Sequence, residues 1–234
     1  MRRLIGIVVF RLLAFPSTSL GTEISYWGDL SGDHSRQSQW LPQIGLSLHA
    51  WSIGVAVPVI QSAETGVRLI DPWLAVGRDT PLTNIEFRLH LPVGSHSREI
   101  RRLGAIECVL NQKIETGWGA LSLEGSIRVR WDRYAEVNDL PSWRVEAVPT
   151  LVFRLFKKFE TFASYEFVTS RGLSPETEAA FYSLDSSLWK TGFRWNPHSE
   201  FVLAPWISQA RLAENEEGRK VSPLSFGISW GLTF

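Results

Sequence analysis

The residues of this 234-residue chain that could do chemistry are charges set at every second position. Glu124, Arg128 and Arg130 share a phase in one run, Arg144, Glu146 and Arg154 in the next, and Glu160 and Glu166 in a third. Lys190 and Arg194 repeat the spacing downstream, and Glu86, Arg88 and His90 repeat it upstream. In an extended strand successive side chains point to opposite faces, so each group occupies one face. The cations Arg88, Arg128, Arg130, Arg144, Arg154, Lys190 and Arg194 stand against Glu86, Glu124, Glu146, Glu160 and Glu166. If those faces enclose a space, two outcomes are open. The charges pair across a narrow interior and fill it, or water remains and the cationic excess favours anions, since rings of arginine or lysine select for them.

Other chemistries find less support. An acyl-transfer or hydrolytic site needs a nucleophile, a histidine base and an orienting group within reach. His90 lies beside Arg88 on the charged face, His96 sits in Ser95-His96-Ser97, His198 in a turn sequence, and His34 and His49 stand apart. None falls in a motif of known lipid hydrolases or acyltransferases, so a lipid-modifying activity through His90 or Ser97 is kept as a third alternative and non-enzyme is the expectation. No His/Asp/Glu cluster has metal-ligand spacing, and no cofactor is expected. Cys108 is the only cysteine, which rules out an internal disulfide. With 24 basic and 24 acidic residues the chain lacks the positive footprint of a nucleic-acid binder. Glu214, Glu216 and Glu217 with Arg219 and Lys220 read as a solvated loop tip.

The elements that must position the charges are strands. The C-terminus alternates most cleanly: Leu224, Phe226, Ile228, Trp230, Leu232 and Phe234 against Ser225, Gly227, Ser229, Gly231 and Thr233. Leu121, Leu123, Ile127, Val129 and Trp131 oppose the charges of their run, with Gly125 on the apolar side. Trp143, Val145, Ala147, Leu151 and Phe153 do the same, as do Phe159, Ala163, Tyr165 and Phe167. Ile85, Phe87, Leu89 and Leu91 alternate upstream, and Trp189, Phe193 and Trp195 are followed by Phe201, Leu203 and Ile207. A final amphipathic strand ending in Phe234 resembles the closing strand of bacterial outer-membrane β-barrel proteins, a broad porin-like class. The resemblance implies that Phe226, Trp230 and Phe234 form a signal for the barrel-assembly machinery. It further implies contact with outer-membrane lipids and lipopolysaccharide, and, for a pore, passage of small solutes.

A secreted β-sandwich also alternates, but loop lengths separate the two. The connections near 156–158 and 196–199 are tight, whereas 132–141, 170–186 and 213–221 are longer and polar, as in barrels with trimmed periplasmic turns and extended outer loops. Aromatic placement agrees: Trp131, Trp143, Phe167 and Trp189 fall at the outer ends, and Phe153, Phe159, Trp195, Phe201 and Phe234 at the inner ends, as interfacial girdles require. Eleven tryptophans and thirteen phenylalanines beside a mean hydropathy near zero fit the same picture.

Ten strands are expected at about 51–60, 65–76, 83–92, 100–111, 117–133, 142–155, 159–169, 186–196, 200–212 and 222–234. A phase change near 49–52 requires a turn or bulge. With Ile44, Leu46 and Leu48 in one further strand and 24–28 in a weak first one, the total is twelve, and ten is the runner-up. Asp71-Pro72 interrupts its strand and should mark a bulge or edge-like defect, because proline cannot donate to a ladder. Met1-Arg2-Arg3 followed by the apolar residues 4–10 and the small Ser17, Ser19 and Gly21 reads as a cleaved secretory signal over 1–21, with the barrel over 22–234. No later apolar run reaches the roughly 18 residues of a membrane helix. The expectation is therefore an all-β, closed antiparallel transmembrane barrel in a bacterial outer membrane. It would act as a narrow pore or passive transporter for small solutes with anions favoured, or as a structural or plugged barrel.

Overall fold

The computed structural model describes residues 18–29, 37–62, 66–80, 83–116, 120–135, 141–172, 186–198, 200–212 and 224–233. Side chains favoured in strands, with period-two alternation, make one antiparallel sheet of fourteen segments. These are β1 (Thr18–Asp29), β2 (Gln37–Leu48), β3 (Trp51–Ala56), β4 (Val59–Ser62), β5 (Gly66–Leu69), β6 (Trp73–Asp79) and β7 (Thr83–His90). A five-residue helix, α1 (Ser95–Glu99), precedes β8 (Arg102–Glu115), β9 (Leu121–Tyr134), β10 (Pro141–Phe156) and β11 (Phe159–Gly172). β12 (Ser186–His198), β13 (Phe201–Leu212) and β14 (Ser225–Thr233) complete the chain. From β6 onward each strand pairs with the next, and β1 pairs with both β2 and β14.

The segment count exceeds the expected twelve for a physical reason. β2 pairs with β3 through Gln43–Leu48 and with β4 through Gln37–Trp40, and the gap between β3 and β4 falls at Val57-Pro58. A second gap, at Ile70-Asp71-Pro72, separates β5 from β6, as the proline there led us to expect. Proline breaks the ladder because it has no N–H to give, yet its carbonyl still accepts. Val57 N–H donates to Pro42 O (3.0 Å), Ile70 N–H to Pro58 O (3.0 Å) and Leu91 N–H to Pro72 O (2.8 Å).

The register places opposed residues on a common face. Trp143 faces Trp131 and Val145 faces Val129, while Arg144 faces Arg130 and Glu146 faces Arg128. The apolar face carries Ile53, Val76, Phe87, Ile106, Ile127, Leu151, Phe193 and Phe226, all exposed. In water such a band would far exceed the apolar patches that soluble monomers expose. Trp131 and Trp143 stack at 6.0 Å and Phe159 and Phe193 at 5.5 Å on this face. Buried residues lie on the opposite face, among them Val109, Val152, Ala204, Trp206 and Glu107.

The connections that follow Leu48, Asp79, Glu115, Phe156 and His198 lie at one end of the sheet, and those that follow Asp29, Ser62, His90, Tyr134, Gly172 and Leu212 lie at the other. β1 begins at Thr18, four residues inside the segment expected to be a signal. Glu214, Glu216, Glu217, Arg219, Lys220 and His34 lie outside the described residues, as does Phe234.

Candidate functional site

At the long-loop end the gap between β5 and β6 turns Asp71 away from the apolar face, where it is buried. Three donors converge on its carboxylate: the Ser97 hydroxyl, the Gly94 N–H (2.9 Å) and Arg102 (3.1 Å). Arg102 also pairs with Asp132 through Nε (2.9 Å) and lies over the Tyr134 ring (5.9 Å). Gly94 must be glycine here, since a Cβ would sit 2.9 Å from Asp71 Oδ1 and 3.0 Å from the Leu69 carbonyl. Residues 94–97, including the start of α1, are thus fastened to the start of β6. Burial works against the Asp71 carboxylate, but the Ser97, Gly94 and Arg102 donors outweigh it and hold the group below its ordinary value.

One level further in, Glu107 on β8 accepts from Arg88 (3.2 Å), its register partner on β7, and pairs with His90 Nε2 (3.2 Å). Arg88 also bonds Glu86 and lies over Trp73. Arg130 forks onto Asp132 two residues along the same strand, its three contacts spanning 3.1 to 3.2 Å. Arg128 pairs with Glu146 across the β9–β10 ladder (3.3 Å). Arg144 sits directly opposite Arg130, a like-charge pair that costs stability unless something offsets it, and among the described residues it makes no ion pair. Glu107, Arg128, Arg130, Arg144 and Glu146 line a cavity of about 180 Å³.

That cavity shares Arg128 and Glu146 with a larger one of about 590 Å³, which Lys190, Glu166 and Arg194 also line. The larger cavity shares Val148, Thr150 and Arg194 with a third of about 460 Å³ that reaches Thr80 and Thr83 at the short-turn end. Arg194 joins Glu124 (2.8 Å) and approaches Glu160 (4.0 Å), which also meets its register partner Arg154 (3.6 Å). Because β10 and β11 separate β9 from β12, the Arg194–Glu124 bond reaches over two strands.

All eleven charged positions singled out in the sequence therefore sit on the buried face. Arg88, Arg128, Arg130, Arg144 and Glu146 gather toward the long-loop end, Glu166 and Lys190 line the middle cavity, and Glu124, Arg154, Glu160 and Arg194 lie toward the short turns. Sequence reasoning missed Asp71, Arg102, Glu107, Asp132 and Lys113, which approaches its register partner Glu124 (3.8 Å). It also missed the inward rings Phe162 and Trp206, which cluster with Val152 and Ala204. Phe162 falls in phase with Glu160, Ser164 and Glu166, a parity that could have flagged it. His90 is engaged by Glu107, while the Ser97 hydroxyl serves Asp71 and accepts from Arg102 (2.9 Å), so the two are not joined as nucleophile and base. Phe226 and Trp230 share the apolar face, where Trp230 meets Trp40 edge-on at 5.7 Å.

No protein-family model and no curated protein matches the sequence. Solved structures match its shape. The COG4313 outer membrane channel from Pseudomonas putida F1 aligns with a TM-score of 0.59 at 11% identity, covering 94% of this chain and 97% of that one. The KdgM porin aligns at 0.52 and 12%, covering 91% and 99%. LpxR from Salmonella typhimurium aligns at 0.51 and 8%, covering 92% and 99%. At such identities the likeness is one of fold, and folds host more than one function. An all-β antiparallel sheet with an exposed apolar face, a charged opposite face and near-complete overlap with these proteins gives the chain the porin-like fold of bacterial outer-membrane β-barrels.

Proposed function

We propose that the chain is a closed, twelve-stave outer-membrane barrel that serves as a narrow pore for small solutes and favours anions. Closure is supported by β1, which is hydrogen-bonded along both edges, to β2 and to β14. Taking residues 51–62 and 66–79 as one stave each, interrupted at Pro58 and Pro72, gives an even number with both ends at the short-turn side, which is then periplasmic. Residues 1–21 act as the export signal. Cleavage near Thr18 leaves β1 whole, and cleavage near Gly21 removes its first pairs with β2. Assembly machinery that reads Phe226, Trp230 and Phe234, and lipopolysaccharide at the long loops, are the partners this location supplies.

The observation that carries the pore is the series of three cavities with shared walls, which leads from the arginine group at Arg130 and Arg144 to the turn at Thr80. An arginine or lysine facing lipid at mid-bilayer costs about 2 to 4 kcal/mol, so cations on the inner face are where a barrel tolerates them. Planar-bilayer recordings of the folded protein test the proposal. We expect steady current with a reversal potential favouring anions, shifted toward neutrality by Arg144→Ala, whose guanidinium makes no ion pair among the described residues. The dense pairing of Arg88, Arg128, Arg130 and Arg194 favours a second reading, in which the interior is filled and serves structure alone. Absence of current from folded protein selects it. Closure has its own test: a disulfide between Ser25→Cys and Gly231→Cys, register partners across β1 and β14, in a Cys108→Ser background.

A further inference from the structure

Lys190 differs from the other cations of the middle cavity. Arg128 is tied to Glu146 and Arg194 to Glu124, whereas Lys190 makes no ion pair among the described residues and rests its ammonium 4.3 Å from the centre of the Trp206 ring. Such a cation–ring contact leaves the outward donors of the ammonium open to a partner. Part of the wall around it is apolar, beside Ser164 and Glu166, which flank Lys190 on the same face of the β11–β12 ladder. Trp206 belongs to the buried cluster with Phe162, Val152 and Ala204, and Phe162, Leu188, Val202 and Ala204 line the same cavity as Lys190. Val202 is 38% exposed although it faces inward beside Gly231, so apolar surface is left for a visitor to cover. At about 590 Å³ the space is within the range of small-ligand pockets. Glu146 and Glu166 line it as well and would repel a second negative charge.

A cation without an ion pair among the described residues, set beside an apolar patch and near the Glu146 and Glu166 carboxylates, suits a ligand with one anionic group and a greasy body. We propose that the middle cavity is a binding station for small apolar monocarboxylates, the carboxylate on Lys190 Nζ and the body against Phe162, Leu188 and Val202. The station deepens the pore reading by naming a class of solute, and it rests on that reading for the ligand's access.

Titration calorimetry of the full folded chain in detergent micelles tests it. Benzoate is the probe, and acetate, benzyl alcohol and phthalate are the comparisons. Benzoate should bind at least about tenfold more tightly than each of the three, because each lacks the apolar body or the charge, or carries a second charge. Lys190→Gln should weaken benzoate by about tenfold or more, the worth of one hydrogen bond to a charged group, and Lys190→Arg should recover most of it. Benzoate binding no better than acetate, or an unchanged affinity in folded Lys190→Gln, overturns the station. If Lys190→Gln does not fold, the order of the four probes on the unaltered chain decides alone. Bilayer current separates the two proposals. Current without the benzoate preference removes the station and keeps the pore, and the benzoate preference without current removes the pore and keeps the station.

Discussion

Changing Asp71 to asparagine should release the segment that carries α1. The substitution preserves size and leaves an oxygen for the Gly94 N–H, but it removes the charge that receives the Ser97 hydroxyl and the Arg102 guanidinium. Hydrogen bonds to a charged group contribute about 1.5 to 3 kcal/mol each. Arg102 retains Asp132 at 2.9 Å and is not stranded, which places the loss near the low end of that sum, at about 3 kcal/mol. Since about 1.4 kcal/mol is a factor of ten, the open population of residues 91–101 should rise roughly a hundredfold. Arg98 and Arg101 are exposed at and just beyond the helix and offer trypsin two sites that become good substrates only when the segment lifts. When reclosing outpaces cleavage, the cutting rate follows that open population. In detergent-solubilised folded protein, Asp71→Asn should therefore be cut at Arg98 or Arg101 far faster than the unaltered chain, with the rest of the sheet intact. Equal rates within about twofold would refute the idea that one buried carboxylate fastens this segment.

Acid should mimic that substitution. The folded Asp71 carboxyl lies below its ordinary value, so its stabilisation is complete above the ordinary aspartate range and disappears as pH falls through the lowered folded value. Hydrogen exchange of the 91–101 peptide, corrected for intrinsic rates, should speed up on acidification in the unaltered chain and change little in Asp71→Asn. Gly192→Ala should destabilise the barrel by about 1 to 3 kcal/mol. A Cβ there would sit 2.9 Å from Trp206 Cα and 3.1 Å from Phe162, and would also strike the Pro205 carbonyl. Gly125→Ala, with nothing within 4 Å of its Cβ, should leave the temperature of gel-mobility shift unchanged.

The alternation was legible because pairing and side-chain direction are tied in a strand. Leu121 through Trp131 and Trp143 through Phe153 read directly onto the exposed face, and their charges onto the buried one. The gap at Pro72 was legible from the residue itself. The gap at Pro58 was not noticed, since Val55, Val57 and Val59 keep their period across it and only the missing donor interrupts the ladder. Glu107 sits alone among Ile106, Cys108, Val109 and Leu110, so no run of charges marked its face. The Asp71 and Arg102 cluster depends on a loop folding back between strands far apart in sequence, which periodicity does not report. Charge pairing was expected between facing sides of the interior. In the fold most pairs join neighbours, as in Arg128–Glu146 and Arg154–Glu160, because adjacent strands lie only about 4.8 Å apart.

The decisive contrast lies between two consecutive residues of β9. With Cys108→Ser as background, an environment-sensitive fluorophore attached at Ile127→Cys, and separately at Arg128→Cys, is exposed to bilayers containing brominated lipid. The account predicts strong quenching at position 127, on the hydrocarbon-facing side, and little at position 128, on the interior side. Equal quenching at both positions, or the reverse order, would contradict it.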